Sequence, residues 1–572
     1  MTASQENAPA SIAAVAKPPK LHGRAFYESI GCPKSIVAPM VDQSEFIWRM
    51  LSRSFLPEER RSSLLAYTPM FHARLFVESQ KYRETHFQAM RGDKPWLDGN
   101  PAIDRPLFVQ FCANDPAHLL SAAKLVEPYC DAVDLNLGCP QGIAKKGHYG
   151  SFLQEDQELI HNLIKTLHEG LSIPVTAKIR ILETREKTLA YAKNVLSAGA
   201  SILTVHGRRR EQKGHITGLA DWDVIRYLRE NLPAETVLFA NGNILQHGDI
   251  EKCLAATGAD GIMSAEGNLS NPGIFAIPPT PEEAGPEFWR GKDGKGGWRV
   301  DAVFRRYLDL IHQYVKDAKP PQRRPLFVPG HDTAWMDGPL PFPEQQQKRE
   351  EGPKKKKVKV GSDDRTNAQS PNYVAMQPHL FHLLRHFVTV HTDVRDALAK
   401  SRLGDISLYE NILEMVERKV AKGLIDYEAT QGESIAPYLE ATAHVKHSNV
   451  KVEGEEKPDP MEEDIEDKES SVRTVRECKR PWWVVQPIVR PLPKEALAKG
   501  AIMLKKQKQD KTNGAGNNAT NGHAQPRQKN GQENGNGAGK ANGISTVTGS
   551  IIGDPQSAEA ALGSLKRKAS EI

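Results

Sequence analysis

The chain has 572 residues, 39% hydrophobic and 26% charged, with a formal net charge of +5. That length allows two to four domains, or one large domain with tails, and so small a net charge does not by itself argue for a nucleic-acid partner. Its six cysteines form no C-x-x-C pair and no long apolar run occurs, which excludes a disulfide framework, a zinc finger and a membrane-spanning helix.

Residues 1–22 are small, polar and Pro-containing, so a disordered N-terminus is expected. They lack the cationic start and apolar block of a secretory signal, and a reducing intracellular compartment is the expectation. From about residue 30 the composition changes. Apolar, β-rich runs recur at Ser35–Met40, Leu64–Met70, Leu107–Phe111, Ala132–Gly138, Val175–Arg180, Ser201–Gly207, Val237–Asn243 and Asp260–Gly267. Helical patterns fill most gaps, at Glu45–Ser54, Ala117–Pro128, Gln157–Glu169, Leu189–Ala198 and Asp249–Ala256. Alternating strand and helix implies right-handed βα units on a parallel sheet. Eight such units match an α/β protein built on a (β/α)8 TIM barrel over 30–290, with a doubly wound open sheet as the structural rival.

Beyond the barrel, 298–440 repeats apolar residues at helical spacing and predicts a smaller α-helical domain, with a flexible insertion at 319–371. Residues 441–572 read as a largely disordered tail: acidic over 451–470, basic with Trp482 and Trp483 over 473–508, and of low complexity over 509–550. The segment around Arg480-Pro481-Trp482-Trp483 is open to docking on the protein body or on RNA. Inside the insertion, the basic run at 353–360 (PKKKKVKV) reads as a nuclear localisation signal, so nucleus and/or cytoplasm are the expected locations.

Active sites of such barrels lie at the C-terminal ends of the strands. Those ends hold Met40, Gln110, Asn136, Lys178, His206, Asn241 and Glu266, with Cys139 just beyond the fourth strand. Each alone has an ordinary explanation: a loop glutamine, a satisfied core histidine, a structural thiol. Their shared rim makes a joint functional reading the stronger one. Lys178 brings a cation onto an apolar strand, where burial demands a negative partner, and a flavin ring that turns anionic on reduction is one. Asn241–Gly242–Asn243 and Ala265–Glu266–Gly267 end the last two strands, where loops commonly bind phosphate through backbone N–H groups. Cys139, between Gly138 and Pro140, is a candidate acid or nucleophile. Arg208, with Arg209 and Arg210, is a candidate for substrate phosphate.

VAPMVDQSEFIWRML, DLNLGCPQGIAKKGHYGSFL, VTAKIRI, TVHGRRREQKG and ANGNI resemble the tRNA-dihydrouridine synthases over about 30–275. With SAEGNLSNP, the likeness is greatest to the eukaryotic branch acting on uridines 16 and 17 of the tRNA D-loop. The resemblance implies an FMN enzyme with NADPH or NADH as reductant. In it Pro39, Met40 and Val41 would line the flavin ring and Gln110 would bond its polar edge. Lys178 would sit against its N1/O2 side and His206 near ring or phosphate. Asn241, Gly242, Asn243, Ala265 and Glu266 would hold the phosphate end. Asn136 would orient the uracil, Arg180 would face substrate or tRNA backbone, and Cys139 would be the general acid. Many members carry Gly-Arg where this chain has Ala265-Glu266. A carboxylate does not pair with phosphate, so Glu266 stays open as a direct phosphate contact. Arg305, Arg306, His382, Arg385, His386 and Arg395 of the helical region are either a solvated face or contacts to tRNA phosphates. A monomer binding tRNA, without membrane or resident metal, is expected. The rival readings are another FMN barrel oxidoreductase acting on a free pyrimidine, and a non-catalytic tRNA-binding protein.

Overall fold

The computed structural model describes residues 20–214, 217–338, 370–443 and 477–490. The basic run at 353–360, the acidic 451–470 and the low-complexity 509–550 lie outside them.

Eight strands occupy the expected runs: β1 (Ser35–Val37), β2 (Leu64–Tyr67), β3 (Leu107–Cys112), β4 (Ala132–Leu137), β5 (Val175–Arg180), β6 (Ile202–His206), β7 (Val237–Asn241) and β8 (Gly261–Ser264). Each pairs in parallel with the next, and β1 pairs with both β2 and β8. The sheet is therefore a closed barrel, and the open-sheet rival falls. Five of the helices between strands begin on a side-chain cap: Ser79, Asp115, Asp156, Thr184 and Asp221 each accept from a backbone N–H three residues on.

Strand side chains alternate between the two faces of the sheet, so every second residue points inward. Near the strand starts these inward positions are apolar: Ile36, Leu65, Phe108, Ala132, Ile202 and Val237 pack with Phe26 and Tyr27 of the helix Gly23–Ser29. The Tyr27 hydroxyl donates to the carbonyls of Pro33 and Asp260, which precede β1 and β8, so this helix closes the N-terminal end. Further along the same alternation the inward positions turn polar: Gln110, Asp134, Asn136, Thr176, Lys178, Arg180, Thr204, His206 and Asn241. Register brings them side by side. Asn136 opposes Lys178, and Arg180 and Asn241 both oppose His206.

After the barrel, helices at Val300–Leu310, Pro371–Leu383, Thr392–Ala399 and Ile406–Ala429 form the α-helical region. Their buried residues, among them Phe304, Tyr307, Leu380, Ile412, Val416 and Val420, share one core with Phe46, Ile47, Trp48 and Leu51 of the helix after β1. Segment 477–490, which composition places in a tail, also enters this core. Trp483 is 1% exposed and packs edge-on against Trp289 and Tyr427. The carbonyl of Trp483 accepts from the Val300 amide, and the Val485 amide donates to Trp298. The buried Trp483 indole and the partly buried Trp482 supply enough apolar area to order a segment otherwise rich in charge. No helix of the described residues is long and apolar enough to cross a membrane.

Candidate active site

Cys139 lies in the loop leaving β4. Every backbone polar atom from Gly138 to Pro140 is hydrogen-bonded. The Asn136 side-chain oxygen accepts from the amides of Gly138 (3.0 Å) and Cys139 (2.9 Å). Arg180 Nε donates to the Gly138 carbonyl at 2.7 Å. The Cys139 carbonyl accepts from the amide and hydroxyl of Ser151, and the Pro140 carbonyl accepts from Lys213 Nζ at 2.7 Å. Gly150 has φ +65°, and a Cβ there would stand 2.8 Å from the Cys139 carbonyl oxygen, so only glycine lets this strand of the loop close on the cysteine. A half-buried thiol is thus held in one place by its backbone. Burial pushes the Cys139 thiol above its ordinary pKa, so it stays protonated at neutral pH although Arg180 and Lys178 lie near.

Asn136 is itself held from below. Its amide donates to Gln110 Oε1 at 2.7 Å, and Gln110 Nε2 donates to Asp134 at 2.8 Å. Asp134 also accepts from Thr176 at 2.6 Å. This relay of inward side chains runs across three strands from the barrel interior to the cysteine loop. Burial raises the Asp134 carboxyl to about 6. Lys178 donates to Asn241 Oδ1 at 3.0 Å, and Asn241 donates in turn to the Met263 carbonyl. Burial, with the Arg180 charge added, lowers the Lys178 ammonium to about 8.

The β6–β8 side is cationic. Arg208, 5% exposed, donates to His206 Nε2 (3.1 Å), to Asn243 Oδ1 (2.8 Å) and to the Gly218 carbonyl. His206 therefore accepts on Nε2 and is neutral, and burial beside Arg180, Lys178 and Arg208 holds its pKa well below the ordinary value. Gly242 has φ +113°, and a Cβ there would strike Ala220 at 2.6 Å, so the turn after β7 needs glycine. Glu266 pairs with Arg490.

The mouth thus gathers Gln110, Asn136, Cys139, Lys178, Arg180, His206, Arg208, Asn241, Gly242, Asn243, Ala265 and Glu266 at one end of the barrel. Pro39 and Met40 follow β1 on the same rim, and Val41 is 53% exposed. Arg180 and Arg208 spend their donors on loop carbonyls and side chains, which makes them braces of the mouth. In the helical region Arg305 pairs with Glu417 at 2.5 Å, Arg306 pairs with Glu287, and Gln43 bonds His382 at 3.2 Å. Arg395 lies exposed beside Asp396. Sequence reasoning passed over Asp134 and Thr176, which sit deeper in the strands than the ends that singled out Asn136 and Lys178, although period-two alternation points all four inward. It also passed over Arg490, for which no local pattern exists.

The fold and mouth define a parallel (β/α)8 barrel with a positioned thiol facing a cationic rim. Residues 36–319 match the family model described as dihydrouridine synthase. A tRNA-dihydrouridine(16/17) synthase of Schizosaccharomyces pombe (strain 972 / ATCC 24843) is 42% identical over 474 residues, 83% of this chain and 92% of that protein. A protein of the same name from Saccharomyces cerevisiae (strain ATCC 204508 / S288c) is 59% identical over 294 residues, 51% of this chain, and the match spans 64% of its own length. A mouse protein named as like this enzyme is 45% identical over 297 residues, 52% of this chain and 55% of that protein. Each of these names carries NAD(P)(+). The chain belongs to the dihydrouridine synthase family.

Proposed function

We propose that this protein is a tRNA-dihydrouridine synthase that reduces the C5=C6 bond of uridine at position 16 and/or 17 of the tRNA D-loop, with FMN as cofactor and NADPH or NADH as reductant. The names of its relatives support the reaction and the position. The single observation that carries the reading at the level of residues is the fully bonded Cys139 loop on the same rim as Lys178.

The residues present fit a flavin mononucleotide. An ammonium at the mouth has a side-chain amide as its hydrogen-bond acceptor, the surplus cations lie at the ends of β6–β8, and Gly242 keeps the turn there free of a side chain. Lys178 and Gln110 would meet the polar edge of the ring, with Pro39, Met40 and Val41 along it. His206, Asn241, Asn243, Ala265 and the loop braced by Arg208 would meet the phosphate end. When bound, the reduced flavin supplies a hydride to C6 of the uracil.

Hydride arrival makes C5 carbanionic, so a proton must reach C5 from the protein. Cys139 holds that proton at Sγ: the thiol stays protonated at neutral pH and gives it up only to a strong base such as the developing carbanion. Asn136 sets the height of the loop by accepting from two of its amides, and its own position is set by Gln110. Fixing acid and acceptor within contact distance accounts for a large share of the rate gain such enzymes achieve. The uridine must leave the D-loop stack to enter a barrel mouth, as for other enzymes that act on a base. The exposed basic residues of the helical region are assigned to tRNA phosphates, and the run at 353–360 to nuclear import.

The test is dihydrouridine mapped by position in unmodified tRNA incubated with purified protein and NADPH. Signal at 16 or 17, absent in Cys139→Ala that keeps its flavin spectrum, is the expected result. Flavin-loaded protein that modifies neither position refutes the substrate. A full rate in Cys139→Ala refutes the acid.

A further inference from the structure

Segment 477–490 crosses from the helical region to the barrel mouth. Trp483 and Val485 anchor it against Trp298 and Val300, the Gln486 amide closes a tight turn onto the carbonyls of Arg480, Pro481 and Val484, and Cys478 Sγ donates to Gln246 in the loop after β7. At its far end Arg490 pairs with Glu266, the first residue of the short helix Glu266–Ser270 after β8. The Arg490 side chain is 12% exposed, and its Nε is buried with no partner among the described residues. Around it positive charge is dense. Arg208, Arg385 and Arg490 all act on Glu266 or on one another, and His206 also feels Arg490. Cations gathered out of water favour an anion among them, and a phosphomonoester carries close to two negative charges.

We propose that Arg490 is a ligand of the terminal phosphate of the flavin, delivered to the β7–β8 end of the mouth by segment 477–490 and held in place there by Glu266. The assignment rests on the flavin reading above. Its free Nε is the donor the phosphate would take, and a guanidinium can pair a phosphate while one of its other nitrogens keeps a carboxylate. Glu266 is then not a phosphate ligand. It orients the residue that is.

The test compares FMN with riboflavin, which lacks the phosphate, by fluorescence titration of flavin-free full-length protein. Wild type is expected to prefer FMN. Arg490→Ala is expected to weaken FMN about ten- to hundredfold, the range for a charge-assisted bond, and to leave riboflavin affinity unchanged. Arg490→Lys is expected to recover part of the loss. An unchanged thermal midpoint in the flavin-free variants separates the lost contact from misfolding. Arg490→Ala with an unaltered FMN-to-riboflavin ratio overturns the assignment. If tRNA affinity and its salt dependence fall instead, the arginine serves a backbone phosphate of the substrate. Wild-type protein that binds neither flavin overturns the proposed function itself.

Discussion

On the β3–β5 side of the mouth, Gln110, Asn136, Lys178 and Arg180 stand on three consecutive strands, and each hydrogen-bonds to another of these strands, to β7 or to the Cys139 loop. On the β6–β8 side, Arg208 and His206 share a bond, but the carboxylate at Glu266 is met by an arginine 224 residues away in sequence. One side is closed by neighbours and its polar atoms are satisfied. The other is rich in cations, and its carboxylate is met from outside the barrel. The difference teaches that a barrel rim can fix a proton donor from within a few βα units. On the opposite side a carboxylate of the rim is met by an arginine from a distant segment.

The largest expected effect breaks the first side alone. Cys139→Ala should lower dihydrouridine formation about 10²–10⁴-fold, the usual worth of a positioned acid, while flavin affinity holds. Cys139→Ser, with a still weaker acid, should recover little. A single-turnover assay with pre-reduced enzyme checks both. Retained turnover would mean that the satisfied loop serves packing only.

Trp483→Ala should act on the other side. A buried indole truncated to alanine costs about 3–5 kcal/mol, read as a lowered urea midpoint. Because Trp483 anchors the segment that carries Arg490, the preference for FMN over riboflavin should shrink in the protein that remains folded. If stability falls and the preference is untouched, the two sides are not completed differently after all. Asn136→Ala sharpens the contrast. It leaves the amides of Gly138 and Cys139 unpaired and should cost about 1–3 kcal/mol of stability, with kcat reduced more than flavin binding.

The two sides also differ in how far they could be read beforehand. Eight β-rich runs with helical patterns between them were enough for the barrel, and their C-terminal ends put Gln110, Asn136 and Lys178 on one rim, all three turned inward by period-two alternation. Asp134 and Thr176 obey the same alternation but carry no rim position, so nothing marked them until hydrogen bonds joined them to Gln110. Arg180 and Arg208 looked like free cations for a ligand. Their use as braces depends on where the Gly138 and Gly218 carbonyls point, which loop geometry decides and spacing does not. Trp482 and Trp483 sat in basic, polar surroundings that resembled the rest of the tail. Their burial depends on Gly423, where a Cβ would stand 2.7 Å from Trp482. Arg305 and Arg306 lay on helical patterns as clear as any, yet which face is solvated follows from Glu417 and Glu287, far away in sequence.

The smallest effect concerns charge inside the first side. The folded protein holds Lys178 near 8 where the unfolded chain holds it at its ordinary 10.5, because burial disfavours the cation. Between those values the unfolded chain binds more protons than the folded one, so this lysine makes the flavin-free protein more stable as pH rises from 8 to 10.5. Below 8 its burial penalty is constant. Asp134, Arg180 and Cys139 face it, and the cysteine acts with the opposite sign: burial raises its thiol pKa above the unfolded value, which costs stability as pH rises past that value. The total slope therefore mixes both, and the difference between wild type and Lys178→Met isolates the lysine. Urea midpoints taken at intervals from pH 7.5 to about 10 should show wild type gaining on Lys178→Met as pH rises. A constant gap would mean that Lys178 keeps its ordinary pKa, its charge balanced by Asp134 while Asn241 takes one of its donors, and that this side of the mouth is neutralised without a ligand.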